Sequence, residues 1–339
     1  MPESDHYVII GNGPAGNSAA DCLRENDNKA RITIVSGESF SFYFRHKLTD
    51  FISGSIDESK LVVRPYSIYK SGNIRLRLGQ HVDRIDPEKK ILYFRHMEKV
   101  GYTKLILATG GSPRILPSLM NFNKYLSFMF CYTDAVKLAS ELENWQNCLV
   151  IGGDVTSLKF IDMLSEKKKN VHVILYPEAF WPFELTPDIA EKLKHRFEQK
   201  GIRISINNTI ESITLENDQY QVVNNGGQTD TYDKIISFLG LVPNIKFILG
   251  SGIDTDTGIL VDDHLRTNFS DIYACGDCAQ IYNNETKQYW VSIGWKNAQM
   301  QGKTAAMNLL GDNKIIKPSS EKVLEVDGLS VKTSWWDLI

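Results

Sequence analysis

Apolar residues along this chain gather in short, nearly continuous runs. Val8-Ile9-Ile10, Ile32-Thr33-Ile34-Val35, Leu105-Ile106-Leu107, Leu149-Val150-Ile151 and Val171-His172-Val173-Ile174-Leu175 are the clearest. A strand buried on both faces reads this way, whereas a half-exposed strand alternates, so these runs predict parallel-sheet strands. Gly79 to Ile85 and Lys90 to Phe94 suit a small antiparallel meander. No run reaches the roughly 20 apolar residues a membrane-spanning helix needs.

The residues just after the first run give it chemical meaning. Gly11, Gly13 and Gly16 stand in the spacing G-x-G-x-x-G, and Pro14, Ala15 and then Ala19 to Leu23 lead into a helix. Gly11 allows the tight turn, Gly13 lets a pyrophosphate approach the backbone, and Gly16 lets helix and sheet lie close. The helix N-terminus then faces the phosphates with unpaired N–H groups. A glycine-rich turn without a ligand is the alternative. Glu38, just past the second strand, is a candidate ribose ligand or an ordinary loop acid.

Composition narrows the class. The 339 residues suffice for two domains, 42% are hydrophobic and 23% charged, and the net charge of −3 gives no argument for nucleic acid or an anionic membrane. Five cysteines, an odd number, suggest reduced thiols in a cytoplasmic protein. The N-terminus enters the first strand without a basic and apolar leader, so no signal peptide is expected. Cys22, Cys131 and Cys148 read as buried helix or strand residues, and Cys275 and Cys278 as small residues in a tight turn. No cluster has metal-ligand spacing, so no metal is expected.

The stretch Tyr43-Phe44-Arg45-His46-Lys47-Leu48-Thr49-Asp50-Phe51-Ile52-Ser53-Gly54 resembles a segment of the FAD-dependent pyridine nucleotide-disulfide oxidoreductases. The branch it is most similar to holds the rubredoxin reductases and the flavin portion of nitrite reductases. Ala108-Thr109-Gly110 followed by Ser112-Pro113-Arg114, and Tyr273-Ala274-Cys275-Gly276-Asp277, resemble two further motifs of that family. The resemblance implies FAD contacts at Arg45, Lys47, Val82, Ala108, Thr109, Gly110, Arg114 and Gly276. It also implies that Asp277 accepts a hydrogen bond from the ribityl chain, and that Trp295, in the helix closing the flavin domain, contacts the cofactor.

The second glycine motif departs from the pattern. After Leu149-Val150-Ile151 it reads Gly152-Gly153-Asp154-Val155-Thr156-Ser157, with Asp154 and Ser157 where glycines are expected, and the strand ending at Leu175-Tyr176 lacks a ribose-binding acid. An added carboxylate opposes a dianionic ligand, so the NAD(P)H fingerprint is weakened. In relatives a lysine and a glutamate pair beside flavin N5. The matching positions here hold Asp50 and Lys159, a charge-swapped pair, or else two solvated surface charges.

The reading is an α/β protein with two Rossmann-like, glutathione-reductase-like dinucleotide-binding domains, the second inserted in the first, plus a short C-terminal remnant. Its parts are 1–116 and 243–312 for FAD, 117–242 resembling an NAD(P)H domain, and 313–339 as a truncated interface domain. The function implied is electron transfer between NAD(P)H and a rubredoxin- or ferredoxin-like iron–sulfur carrier. One alternative is an FAD subunit of a larger iron–sulfur complex that does not bind nicotinamide directly; another is a non-catalytic FAD-bound scaffold or sensor. Trp335 and Trp336 would either anchor another subunit or pack on their own domain.

Overall fold

The computed structural model describes residues 5–153, 155–176, 186–206, 208–291, 294–316, 322–326 and 329–333. Asp154, Trp335 and Trp336 lie outside the described residues.

The apolar runs become the inner strands of two parallel sheets. In the first sheet the spatial order is Ile272–Ala274, Lys104–Leu107, His6–Ile10, Arg31–Val35 and Ile74–Arg77. Its register sets Ile9 beside Ile34 on one side and Ile106 on the other, all three completely buried. The edge strand Ile272–Ala274 arrives from late in the chain, so this unit is assembled from two distant stretches. The helices Pro14–Asn26 and Trp295–Leu309 pack closely against each other. A Cβ on Gly302 would lie 2.1 Å from the Ala15 carbonyl oxygen, which is why their approach needs glycine.

The second sheet runs Arg203–Ile206, Asn170–Leu175, Asn147–Gly152, Lys234–Phe238. Its central strand divides its side chains by period two. Cys148 and Val150 enter a core with residues of the helices Tyr132–Glu141, Val155–Glu166 and Pro187–Gln199. Leu149 and Ile151 enter another core, made with the antiparallel meander Ile210–Glu216, Gln219–Asn224 and Thr229–Tyr232. The chain passes from one unit to the other along Gly111–Pro113 and returns along Leu241–Pro243, and these two segments pair antiparallel.

Some expectations change in detail. The strand through Leu105-Ile106-Leu107 starts at Lys104 and ends at Leu107, and the chain beyond it turns through Gly110 at φ +60°. The early meander has a third strand, Lys99–Gly101, beyond Val82–Asp86 and Ile91–Phe94. Cys131 is not buried within a helix: it is half-exposed and caps the start of Tyr132–Glu141, whose Asp134 side chain returns to the Cys131 N–H at 3.0 Å. Near the C-terminus, Lys322–Val326 and Leu329–Thr333 pair as a hairpin.

Candidate cofactor site

The three glycines of the first loop have different reasons to be glycine. Gly11 has φ +123°, and a Cβ there would be 1.9 Å from the Ala108 carbonyl oxygen. A Cβ on Gly16 would be 2.0 Å from the Gly11 carbonyl oxygen. Both are required by internal packing. Gly13 is not: its φ of −84° suits any residue, and a Cβ there would meet nothing within 4 Å. It also stands at the N-cap of Pro14–Asn26 with no side-chain cap on the helix. Free N–H groups, a helix dipole and room for close approach suit an anion such as a pyrophosphate.

The other end of the chain closes on the same place. Gly276, at φ +76°, lies so that its Cβ would be 3.2 Å from that of Ala15, and its N–H donates to Gln301 Oε1 at 2.8 Å. Next to it, Asp277 Oδ1 accepts from the Gly294 N–H at 3.3 Å, at the start of the helix Trp295–Leu309. Burial raises the Asp277 carboxyl above its ordinary pKa, which the Gly294 N–H partly offsets. A hydroxyl donor of a ligand would complete that carboxylate's hydrogen bonding.

The aromatic and basic segment after Phe40 packs against Trp295, the first residue of the helix that follows Gly294. The Trp295 ring stacks on Phe42 at 5.1 Å and meets the His46 ring edge-on at 5.4 Å. Lys47 Nζ lies 4.3 Å from the centre of the Phe44 ring. Arg45 and Glu38, taken from sequence as separate ligands, pair with each other at 2.5 Å, and Glu38 also accepts from Tyr43 OH at 2.8 Å. Burial pushes the Tyr43 hydroxyl well above its usual range, and Glu38 adds to the shift. Burial, then Lys47 and Lys159, lower the His46 pKa.

Ala108, Thr109 and Gly110 leave the sheet beside Gly11. Thr109 Oγ1 donates to the Asn244 carbonyl at 2.9 Å, and Asn244 Nδ2 donates back to the Thr109 carbonyl at 3.0 Å. Asn244 thus pins the exit, a role that sequence reasoning missed because its partner lies far away along the chain. Arg114 donates through Nε to the Leu239 carbonyl at 2.7 Å, which ties it to the returning strand. Val82 is part-buried on the first core, opposite Phe94.

Asp50 and Lys159 meet across the two units, with Lys159 Nζ 2.7 Å from Asp50 Oδ2. Asp50 belongs to the short helix Leu48–Ile52, whose Leu48 and Ile52 sit in a core of the second unit. In the second glycine loop, Gly152 has φ +116° and abuts the Phe238 carbonyl much as Gly11 abuts that of Ala108. Ser157 takes the place equivalent to Gly16 and is fully buried, so the helix there must leave room for a hydroxymethyl group.

Among the described residues no group of His, Cys, Asp or Glu could hold a metal, and no helix is long and apolar enough to cross a membrane.

The chain matches the family described as pyridine nucleotide-disulphide oxidoreductase over residues 5–302. It is similar to an NADH-rubredoxin oxidoreductase of Clostridium acetobutylicum, 28% identical over 97% of this chain and 81% of that one. A rubredoxin-NAD(+) reductase of Pseudomonas putida is 31% identical over 81% of this chain and 72% of its own length. The crystal structure of the C. acetobutylicum NADH:rubredoxin oxidoreductase superposes with a TM-score of 0.76 at 25% identity, covering 97% of this chain and 81% of that one.

Proposed function

The chain belongs to the pyridine nucleotide-disulphide oxidoreductase family, and from that premise we propose that it transfers electrons between NAD(P)H and a rubredoxin- or ferredoxin-like iron–sulfur protein through FAD. Members of the family bind FAD and use NAD(P)H. The observation that carries the reading here is Gly13, a glycine that nothing inside the protein requires, open beside an uncapped helix N-terminus.

When bound, the isoalloxazine of FAD supplies the redox chemistry, and the protein binds it and tunes it. Gly11 to Gly16, with Pro14 and Ala15, would receive the pyrophosphate. Asp277 and Gly276 would hold the ribityl chain, and Glu38, oriented by Arg45 and Tyr43, the adenosine ribose. The backbone around Val82 would face the adenine. Lys47, Ala108, Thr109, Gly110, Arg114 and Trp295 complete the assigned surround, and Asp50 and Lys159 form the ion pair assigned to flavin N5. The proposed parts are 1–116 and 243–312 for FAD, 117–242 for nicotinamide and 313–339 as the interface remnant, and the antiparallel pairing of Gly111–Pro113 with Leu241–Pro243 supports a crossing near the ends of the middle part. Free thiols at all five cysteines are in keeping with a reducing, cytoplasmic setting.

A second reading, an FAD subunit fed by a partner and not by nicotinamide, is favoured by Ser157 and by a strand ending at Leu175 without an acid. Anaerobic titration of the flavin with NADH and with NADPH, and dithionite as control, separates the two. Bleaching of the flavin band by one nicotinamide is the expected result. Reduction by dithionite alone would give the second reading.

A further inference from the structure

A loop that binds an anion through its N–H groups must also turn its carbonyl oxygens away from that anion. In the first glycine loop the Asn17 side chain reaches two of them, and the Gly13 carbonyl also accepts from the Asn17 backbone N–H at 3.0 Å. Asn17 Nδ2 donates toward the Asn12 carbonyl at 3.0 Å, the Gly13 carbonyl at 3.1 Å and Asn12 Oδ1 at 3.0 Å. Asn17 is 3% exposed, so its own amide has little water as an alternative partner.

The arrangement works only if the amide faces one way. Reversed, it would set an oxygen against three oxygens. Two donors fix its direction from behind. Tyr69 OH reaches Asn17 Oδ1 at 2.6 Å and Arg64 Nη1 reaches it at 3.2 Å. A guanidinium can donate but not accept, so the atom facing Arg64 has to be the amide oxygen. Arg64 is itself held by an ion pair with Asp21, one turn along the same helix as Asn17, and its guanidinium carbon lies 5.1 Å from the centre of the Tyr69 ring. Tyr69 is almost wholly buried and also reaches Asn12 Oδ1 at 2.9 Å.

We propose that Asn17 is a positioning residue for dinucleotide binding: oriented by Tyr69 and Arg64, it engages the carbonyl oxygens of Asn12 and Gly13, so that the loop offers only donors to a pyrophosphate. None of Asn17, Tyr69 and Arg64 belongs to the glycine fingerprint. The inference rests on the reading that FAD occupies this loop.

The test uses full-length protein stripped of flavin, titrated with FAD and, separately, with riboflavin, which lacks the pyrophosphate. Thermal melting of each flavin-free variant is followed alongside. Asn17→Asp puts a carboxylate where the amide nitrogen was, and Tyr69→Phe removes one orienting donor while keeping the ring. Asn17→Asp should weaken FAD binding on the order of a hundredfold and Tyr69→Phe about fivefold, with riboflavin affinity within about twofold of the parent. If Asn17→Asp fails to fold, the FAD-to-riboflavin ratio of Tyr69→Phe decides alone. Equal weakening of FAD and riboflavin, or unchanged FAD affinity, would overturn the proposal. A parent protein that binds no FAD would overturn the functional reading, and this inference with it.

Discussion

Two of the glycines in the first loop are explained by carbonyl oxygens about 2 Å from where a Cβ would be, and the third, Gly13, by nothing in the chain. That contrast separates the two glycines that packing requires from the one to which a binding role is proposed. Asp50 and Lys159 invite the same question. Their side chains are 30% and 54% exposed, so the pair contributes little to stability, at most about 1 kcal/mol. Its expected role is local charge, and that can be tested by exchange. Asp50→Lys alone or Lys159→Glu alone sets like charges at close range and should slow flavin reduction about tenfold in rapid-mixing measurements, with little change in melting temperature. The double variant restores an attractive pair and should recover most of the rate. Additive losses in the double variant would mean that the two residues act separately.

Between elements, the decisive contact is that of the helices Pro14–Asn26 and Trp295–Leu309. They come from opposite ends of the chain, and Gly302 and Ala15 let them touch. The contact seats Gly276 against Ala15, so these residues from the two ends of the chain come together only when both helices are docked. Gly302→Ala places a methyl group 2.1 Å from a backbone oxygen that cannot rotate away. Calorimetry should show a loss of about 1 to 3 kcal/mol for this variant. FAD affinity should fall with it, because Asp277 and the Gly294 N–H shift together.

For the whole molecule, stability should depend on pH through the second unit. His172 is buried between strands, with Nε2 2.9 Å from Ser205 Oγ and Nδ1 beside Tyr232 OH and Arg203, whose guanidinium also pairs with Asp230. Burial, then the Arg203 charge, lower its pKa from 6.5 to about 4. Between those values the unfolded chain takes up a proton that the folded chain refuses, so acid favours unfolding. The contribution is complete above pH 6.5, is lost as pH falls toward 4, and amounts to roughly 3 kcal/mol. Melting temperatures measured across that window should fall less steeply for His172→Gln than for the parent. Equal slopes would remove His172 as the source.

The sequence by itself determined the strands, the first glycine loop, the Ala108-Thr109-Gly110 and Tyr273 to Asp277 motifs and the α/β class. Those features are local: buried parallel strands need continuous apolar runs, and a phosphate turn needs glycine at set intervals. The family model matches the same stretches. Asp50 and Lys159 could be aligned as a pair from sequence, but their 2.7 Å contact depends on how the two units meet. Only the tertiary structure decided that Glu38 and Arg45 join in one ion pair, that Cys131 emerges at a helix cap, and that Leu48 and Ile52 pack in a core of the second unit. It alone brought Asn17, Tyr69 and Arg64 behind the first glycine loop and Asn244 onto Thr109. Hydrogen bonds between residues far apart in sequence leave no periodic trace in it, because their geometry is set by the packing of elements that each form for other reasons.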